Sequence, residues 1–273
     1  VNTASGMSSV ASFTGRGSIV VEERTTTVTN TVSIDPLAQT FTLQESRHVP
    51  GVDLWFANPG DRDVLVQIRG TDTGMPNQKI YAQARIKPST IAPSGTATRV
   101  LFDAPMWVNA STEFAIVVLT DSATTSMHVA KLGGFDANVQ RNITSQPYQL
   151  GTLLSSSTAS TWTPHQDKDL AFRLLGCNFT ATTRTVALGT VAVTNASDFL
   201  FELNVDIPAT GANAVLRATT PDGTVYRMTP DTPIALPVRV TGTVVLDLVL
   251  EGAAKVSPVM YPGVQFIAGD EIG

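Results

Sequence analysis

The side chains able to do chemistry are few and scattered. The three histidines, His48, His128 and His165, share no His-x-x-x-His or Cys-His spacing. A zinc site or an acid–base pair would need them to converge through the fold, so they are expected as loop or surface residues. Cys177 is the one cysteine. It excludes an intrachain disulfide and a cysteine-based metal site, and it suits a reducing cytoplasm. Asp61-Arg62-Asp63 and Asp167-Lys168-Asp169 place carboxylates in turns, where calcium binds. Each pair has a base between its acids and no further ligands at loop spacing, so both are expected as solvated turns. Glycosidase carboxylates can lie far apart in sequence, but nothing marks a pair. There is no Gly-x-Ser-x-Gly, P-loop or dinucleotide fingerprint, and Gly15-Arg16-Gly17 is too short to stand for one. The expectation is no metal, no cofactor and no catalytic centre: not an enzyme.

The aromatic residues are the better candidates for binding. Trp55 alternates with Leu54 and Phe56, Tyr81 with Ile80 and Ala82, and Trp162 lies in a Ser/Thr-rich stretch. Strand alternation sends Trp55 and Tyr81 to the face away from their apolar neighbours. Aromatic faces bind sugars when polar groups fix the orientation, and Trp and Tyr are also enriched at protein interfaces. The tryptophans Trp55, Trp107 and Trp162 equally suit a core or its sealed ends. Trp55, Tyr81 and Trp162 are the candidate ligand-binding residues.

The elements that must position them are strands. No window of a dozen residues keeps helical apolar spacing, and period-two alternation recurs throughout. Val52–Phe56, Val64–Arg69, Ile80–Lys87, Thr98–Phe102, Glu113–Thr120 and Leu170–Leu175 are predicted strands, with Glu113–Thr120 apolar on both faces. Asn58-Pro59-Gly60-Asp61, Gly74-Met75-Pro76-Asn77, Pro93-Ser94-Gly95 and Gly133-Gly134 punctuate them as turns. Further on, Phe199, Phe201, Leu203, Val205 and Ile207 share a face, as do Val244, Leu246, Leu248 and Leu250. Pro221-Asp222-Gly223 sits between Val215–Ala218 and Thr224–Met228 as a hairpin turn, and the Pro-rich stretch 230–237 is expected as a loop or edge. The spacing predicts an all-β chain of two tandem antiparallel β-sandwiches: a jelly-roll-like one over 35–177 and a smaller immunoglobulin-like one over 178–273. Residues 1–34, polar and Thr-rich, are predicted to be an extended N-terminal arm able to add a strand to a neighbour.

Composition narrows the partners. The 273 residues are 42% hydrophobic, enough for real cores, but only 15% charged. Such neutral polar surfaces suit packing against other chains or neutral ligands. The net charge of −5 and pI near 5.1 oppose binding to nucleic acid or anionic membranes. The longest apolar runs, such as 114–119, fall far short of the roughly 20 residues of a membrane-spanning helix, and the N-terminus lacks a signal-peptide pattern. Sequons at Asn109, Asn142, Asn178 and Asn195 are expected by chance in a Ser/Thr-rich chain.

Several phrases, in order, resemble β-sandwich regions of tailed-bacteriophage tail-fibre and baseplate proteins. They are Asp35-Pro36-Leu37-Ala38-Gln39-Thr40-Phe41, then Val52-Asp53-Leu54-Trp55-Phe56-Ala57, then Val66-Gln67-Ile68-Arg69 before Gly74-Met75-Pro76-Asn77. Gly151-Thr152-Leu153-Leu154, Thr161-Trp162-Thr163-Pro164 and Lys168-Asp169-Leu170-Ala171-Phe172-Arg173-Leu174 continue the resemblance, and Val256-Ser257-Pro258-Val259 with Tyr261-Pro262-Gly263 is similar to phage endings. It covers 35–177 well and 178–273 weakly, and no repetitive shaft sequence is present. The resemblance implies a structural virion component made in the host cytoplasm. Its partners would be other tail proteins and copies of itself, in a homo-oligomer such as a trimer. The alternative is a carbohydrate-binding module for host surface polysaccharide.

Overall fold

The computed structural model describes residues 2–3, 12–13, 17–24, 30–34, 36–136, 141–142 and 151–270. The chain is all-β, and among these residues the 3-10 turn Pro88–Thr90 is the only helical element. It divides into two compact units, one over Ile19–Cys177 and one built on Asn178–Gly273.

The first unit is two antiparallel sheets around one core. The first sheet runs in the order Thr163–His165, Leu153–Ser155, Leu37–Thr42, Glu113–Thr120, Val64–Asp72 and Met75–Ile86. In the second, Arg47–Asn58 pairs with Ala97–Val108 on one side and with Phe172–Phe179 and Ser126–Lys131 on the other. Lys168–Leu170 extends it by pairing with Ser126–Lys131. Period-two alternation delivers Phe41, Val66, Ile68 and Ile116 from one sheet and Val52, Leu54, Phe172 and Leu174 from the other into a single buried cluster. At Gly51 the backbones press together: an added Cβ would strike the Val100 carbonyl oxygen.

Asn30–Ser33, assigned to the arm on composition, is hydrogen-bonded to Ser126–Lys131, and Ile34 is buried in the core. β-Branched residues prefer extended backbone, and here the partner strand is the chain's own. The other short strands of this region, Asn2–Thr3 and Ser12–Phe13, pair with Gln265–Gly269 and Val259–Met260. The rest of the arm, residues 1, 4–11, 14–16 and 25–29, lies outside the described residues, as does the Asn142 side chain.

A second departure concerns Ile80 and Tyr81. Alternation predicts Ile80 in the core and Tyr81 opposite. A β-bulge at Ile68/Arg69 shifts the register, so Ala82 and Ala84 face the core while Ile80 is 46% exposed. Tyr81 instead packs edge-on against Phe114, with centroids 5.2 Å apart, in the space that Gly70 leaves by having no side chain.

The outer face of the second sheet carries a cross-strand charge row. Asp53 lies opposite both Arg99 and Arg173. Arg99 donates to both carboxylate oxygens at 2.9 and 3.0 Å, and Arg173 donates twice to Oδ2 at 2.9 and 2.6 Å. Arg173 also lies over the Trp55 ring at 5.4 Å. Burial raises the Asp53 pKa more than any single partner lowers it, but the two guanidiniums together hold it below the usual carboxylate value.

The second unit contains a six-stranded sheet ordered Asn2–Thr3, Gln265–Gly269, Thr183–Glu202, Ile234–Glu251, Asn213–Thr219 and Val225–Met228. The hairpin around Gly223 forms as read, pairing Leu216 with Met228 and Thr219 with Val225. The Pro-rich stretch turns strand at Ile234. Phe199 and Tyr226 meet edge-on at 6.1 Å, although three strand spacings (about 14 Å) would separate their strands in a flat sheet. The sheet therefore curls over on itself. Bulges in the long strand Thr183–Glu202 permit this, at Gly189 (φ 110°) and beside Asn195 (φ 52°), two residue types that tolerate positive φ.

Asp53 is fully covered but Arg99 is half-exposed, so Asp53→Asn is expected to cost about 2 kcal/mol at neutral pH, below the range for fully buried pairs. A depressed folded pKa contributes stability above the unfolded value, and that stability is lost as pH falls through the folded value. Denaturant unfolding should therefore separate wild type from variant at pH 7, with the gap closing as pH drops below about 4. An equal gap at pH 7 and pH 2.5 would contradict this account.

Candidate functional site

The three predicted aromatics fall in three different places. Trp55 sits under Arg173 on the outer face of the second sheet. Tyr81 lies on the edge strand Met75–Ile86, 43% exposed, with the Lys79 ammonium 4.6 Å above its ring. Trp162 is 5% exposed and packs with Ala38, Ala115, Val117 and Leu154 on the outer face of the first sheet. Trp55 and Trp162 belong to opposite outer faces of one sandwich, so the fold does not join them into one platform.

Trp162 has a definite task. Phe114, Ile116 and Val118 face the main core, so Ala115 and Val117 project from the other side of the sheet. The stretch 156–162 folds back over them. Ser156 N–H donates to the Pro36 carbonyl at 3.0 Å, and the Thr158 N–H donates to Ser156 Oγ at 3.1 Å. From beneath, Arg69 donates to Gln67 Oε1 at 2.9 and 2.7 Å and to the Ala159 carbonyl at 3.5 Å. Burial lowers the Arg69 pKa from its ordinary value. The Trp162 Nε1–H is buried with no acceptor among the described residues.

All three histidines lie on strands; His128 and His165 are partly exposed, and only the buried His48 departs from the expectation of loop or surface positions. His48 is fully buried on Arg47–Asn58, edge-on to Trp107 at 5.1 Å. His128 Nε2 is 3.0 Å from Ser94 Oγ, and His165 Nε2 is 2.7 Å from Ser155 Oγ. Asp61 accepts from Ser122 Oγ–H at 2.7 Å. Among the described residues no three His, Cys, Asp or Glu side chains gather as a metal site would require. Cys177 is buried, and burial raises its pKa to about 12 against a partial opposing pull from Arg47, so the thiol is held protonated.

A concave site in the first unit was not singled out by sequence reasoning. At the edge of the first sheet, Leu153–Ser155 pairs with Thr163–His165, Leu153 opposite His165 and Ser155 opposite Thr163. Directly opposed residues share a face, so Leu153, Ser155, Thr163 and His165 form one wall. Leu153 belongs to the main core, and therefore this wall faces the gap between the two sheets. Val32, Ser33 and Lys168 of the second sheet form the other wall, and Ser156, Ser157 and Thr161 the rim. The cleft holds about 460 Å³. It is the open side of the sandwich, where the apolar core gives way to hydroxyls. The only sequence signal is the spacing Thr161-x-Thr163-x-His165, which puts three polar residues on one face of an extended segment.

Ser155 and His165 have the separation of a nucleophile and base. Among the described residues no carboxylate is hydrogen-bonded to His165, so the orienting acid of a triad is not assembled. The arrangement can donate and accept hydrogen bonds from several directions and can place one ammonium beside a ligand.

No protein-family model matches the chain, and no curated protein matches it.

The Trp162 environment makes a prediction that separates a structural from a ligand-binding role. Trp162→Ala should cost about 3–5 kcal/mol by opening the outer face of the sheet, whereas Trp162→Phe should cost less than about 1.5 kcal/mol because it removes only an unpartnered N–H and some volume. Thermal and urea unfolding of both variants checks this; equal, small effects would show that the tryptophan does not seal that face.

Proposed function

We propose that the chain is a structural component of a tailed-phage virion, at the baseplate or a tail fibre, and that it works by packing against other tail proteins and against copies of itself. The observation that supports this reading best is the edge strand Met75–Ile86. It is twelve residues long and ends its sheet, and among the described residues nothing pairs with its outer side. Three of its apolar side chains, Met75, Ile80 and Tyr81, are more than 40% exposed. A long edge with unpaired backbone groups and exposed apolar side chains is a template for strand addition, and soluble monomers usually blunt such edges. The placement in a phage tail rests on the ordered phrases between Asp35 and Leu174; the packing mechanism rests on the edge.

The ionisable groups that the fold buries support the same reading. Asp53 is tied to neighbouring strands by Arg99 and Arg173, Asp169 is tied to another strand by Gln39, and Arg69 is held by Gln67 of its own strand, which in turn bonds Gln83 of the next. Groups held this way brace sheets rather than face a substrate. A carbohydrate-binding module is the second reading. The hydroxyl-lined cleft favours it, while the separation of Trp55, Tyr81 and Trp162 counts against an aromatic platform built from all three.

Immunogold electron microscopy of virions with antibody to this chain should give label at the tail end. Unlabelled virions, with controls intact, would remove the virion reading. In parallel, Ile80→Lys should leave unfolding stability within about 0.5 kcal/mol, since the side chain is exposed, yet reduce incorporation into particles. Full incorporation of that variant would mean the edge strand is not an assembly surface.

A further inference from the structure

We propose that the cleft between the Leu153–His165 hairpin and Lys168 binds an acidic saccharide through hydroxyl and ammonium hydrogen bonds. The proposal concerns the cleft alone and holds wherever the protein resides.

The first argument is the donor set. Ser33, Ser157, Thr161 and Thr163 line the cleft, and none of their hydroxyls makes a side-chain hydrogen bond to another described residue. Elsewhere in this unit, by contrast, hydroxyls such as those of Thr71, Thr120 and Ser122 bond to backbone carbonyls or carboxylates. The exposed side chains in the cleft are hydrated, and each hydroxyl both donates and accepts. A polyhydroxylated ligand can replace those waters with matching bonds. Peptide recognition at a sheet edge would instead use unpaired backbone groups; Leu153–Ser155 is paired on both sides, and among the described residues only the outer side of the three-residue strand Thr163–His165 offers any.

The second argument is charge. The chain carries a net −5, yet among the described residues no carboxylate lines this cleft. Lys168 does, and no ion pair among the described residues engages its ammonium. Its neighbours Asp167 and Asp169 do not line the cleft, and Asp169 is buried against Gln39. A lone ammonium among neutral hydroxyls selects a ligand that is mostly hydroxyl with one anionic group, such as a uronate or a sulfated sugar. The Ser155–His165 hydrogen bond fixes both side chains in place beside it.

The third argument is shape. The volume of about 460 Å³ lies within the roughly 300–1,000 Å³ of small-molecule sites and accommodates roughly one or two sugar rings. Val32, which is only partly buried, provides apolar surface for the C–H face of a ring.

The test uses the full chain, with oligogalacturonate as the acidic probe, a neutral cello-oligosaccharide and sodium sulfate as controls, and calorimetry alongside amide NMR shifts. Oligogalacturonate should bind and perturb residues 153–157, 161–165 and 168, with the neutral sugar at least tenfold weaker and affinity falling as salt rises. Lys168→Gln should lower affinity tenfold or more, and Thr163→Val, which keeps shape and removes a hydroxyl, several-fold; both should unfold at the wild-type temperature because neither side chain is bonded to the fold. Four results would overturn the proposal: no binding of oligogalacturonate, equal binding of the neutral sugar, sulfate alone reproducing the shifts, or affinity that survives Lys168→Gln but is lost in Trp55→Ala. The last would move glycan binding to the Trp55 face.

Discussion

Ala115 and Val117 point away from the main core, and water would wet them if that side of the sheet stayed open. Glu113–Thr120 lies in the middle of the first sheet and is apolar on both faces, so it needs two covers. The opposing sheet supplies one. The stretch 156–162 supplies the other, its Trp162 packing beside Leu154 of the adjoining strand. Much of the first unit's irregular structure follows from this requirement. Arg69 is buried because it holds the cover from below. The two short strands flanking the cover must return along the sheet edge, which makes the Leu153–His165 hairpin.

That hairpin in turn decides where the sandwich is open. Its inner face begins with Leu153 in the core and ends with Ser155, Thr163 and His165 beyond it. The second sheet reaches this edge through Lys168 and the strand Asn30–Ser33. Apolar residues there would have closed the side as core. Hydroxyls, an imidazole and an ammonium leave a hydrated cleft instead, and the cover over Val117 and the proposed saccharide site are two faces of one hairpin. The second sheet has a different solution on its outer face, where a carboxylate shared by two guanidiniums ties three strands across their registers. Such a row is weaker than packed apolar surface but fixes register, because a one-residue slip would send Asp53 to the other face.

The second unit builds its core by curling its six-stranded sheet, with Met260 of a short separate sheet joining the same buried cluster. Thr183–Glu202 and Ile234–Glu251 are long enough to pass through both halves of a curled sheet, and bulges take up the bend. Phe199, Tyr226 and Phe266 meet inside the curl. Edge-on aromatic contacts of this kind add modestly to the area they bury, and here they mark where distant strands come together.

The sequence by itself determined the all-β class, most strand cores and the main turns. Period-two alternation is a local property, and the inward faces of Val52–Phe56, Val64–Arg69 and Val244–Leu250 follow from it without knowledge of neighbours. The double-sided burial of Glu113–Thr120 was legible for the same reason. Tertiary structure alone decided the rest. The bulge at Ile68/Arg69 reversed the faces of Ile80 and Tyr81, because register depends on the partner strand. His48 became a buried strand residue, because burial depends on what lies across the sheet. Trp162 became a cover, and Trp55, Tyr81 and Trp162 were separated, because exposure depends on which outer face a loop crosses. Ser155, His165 and Lys168 carried no motif; the cleft arises where two strands remote from each other in sequence reach the same open edge, and that adjacency exists only in the folded chain.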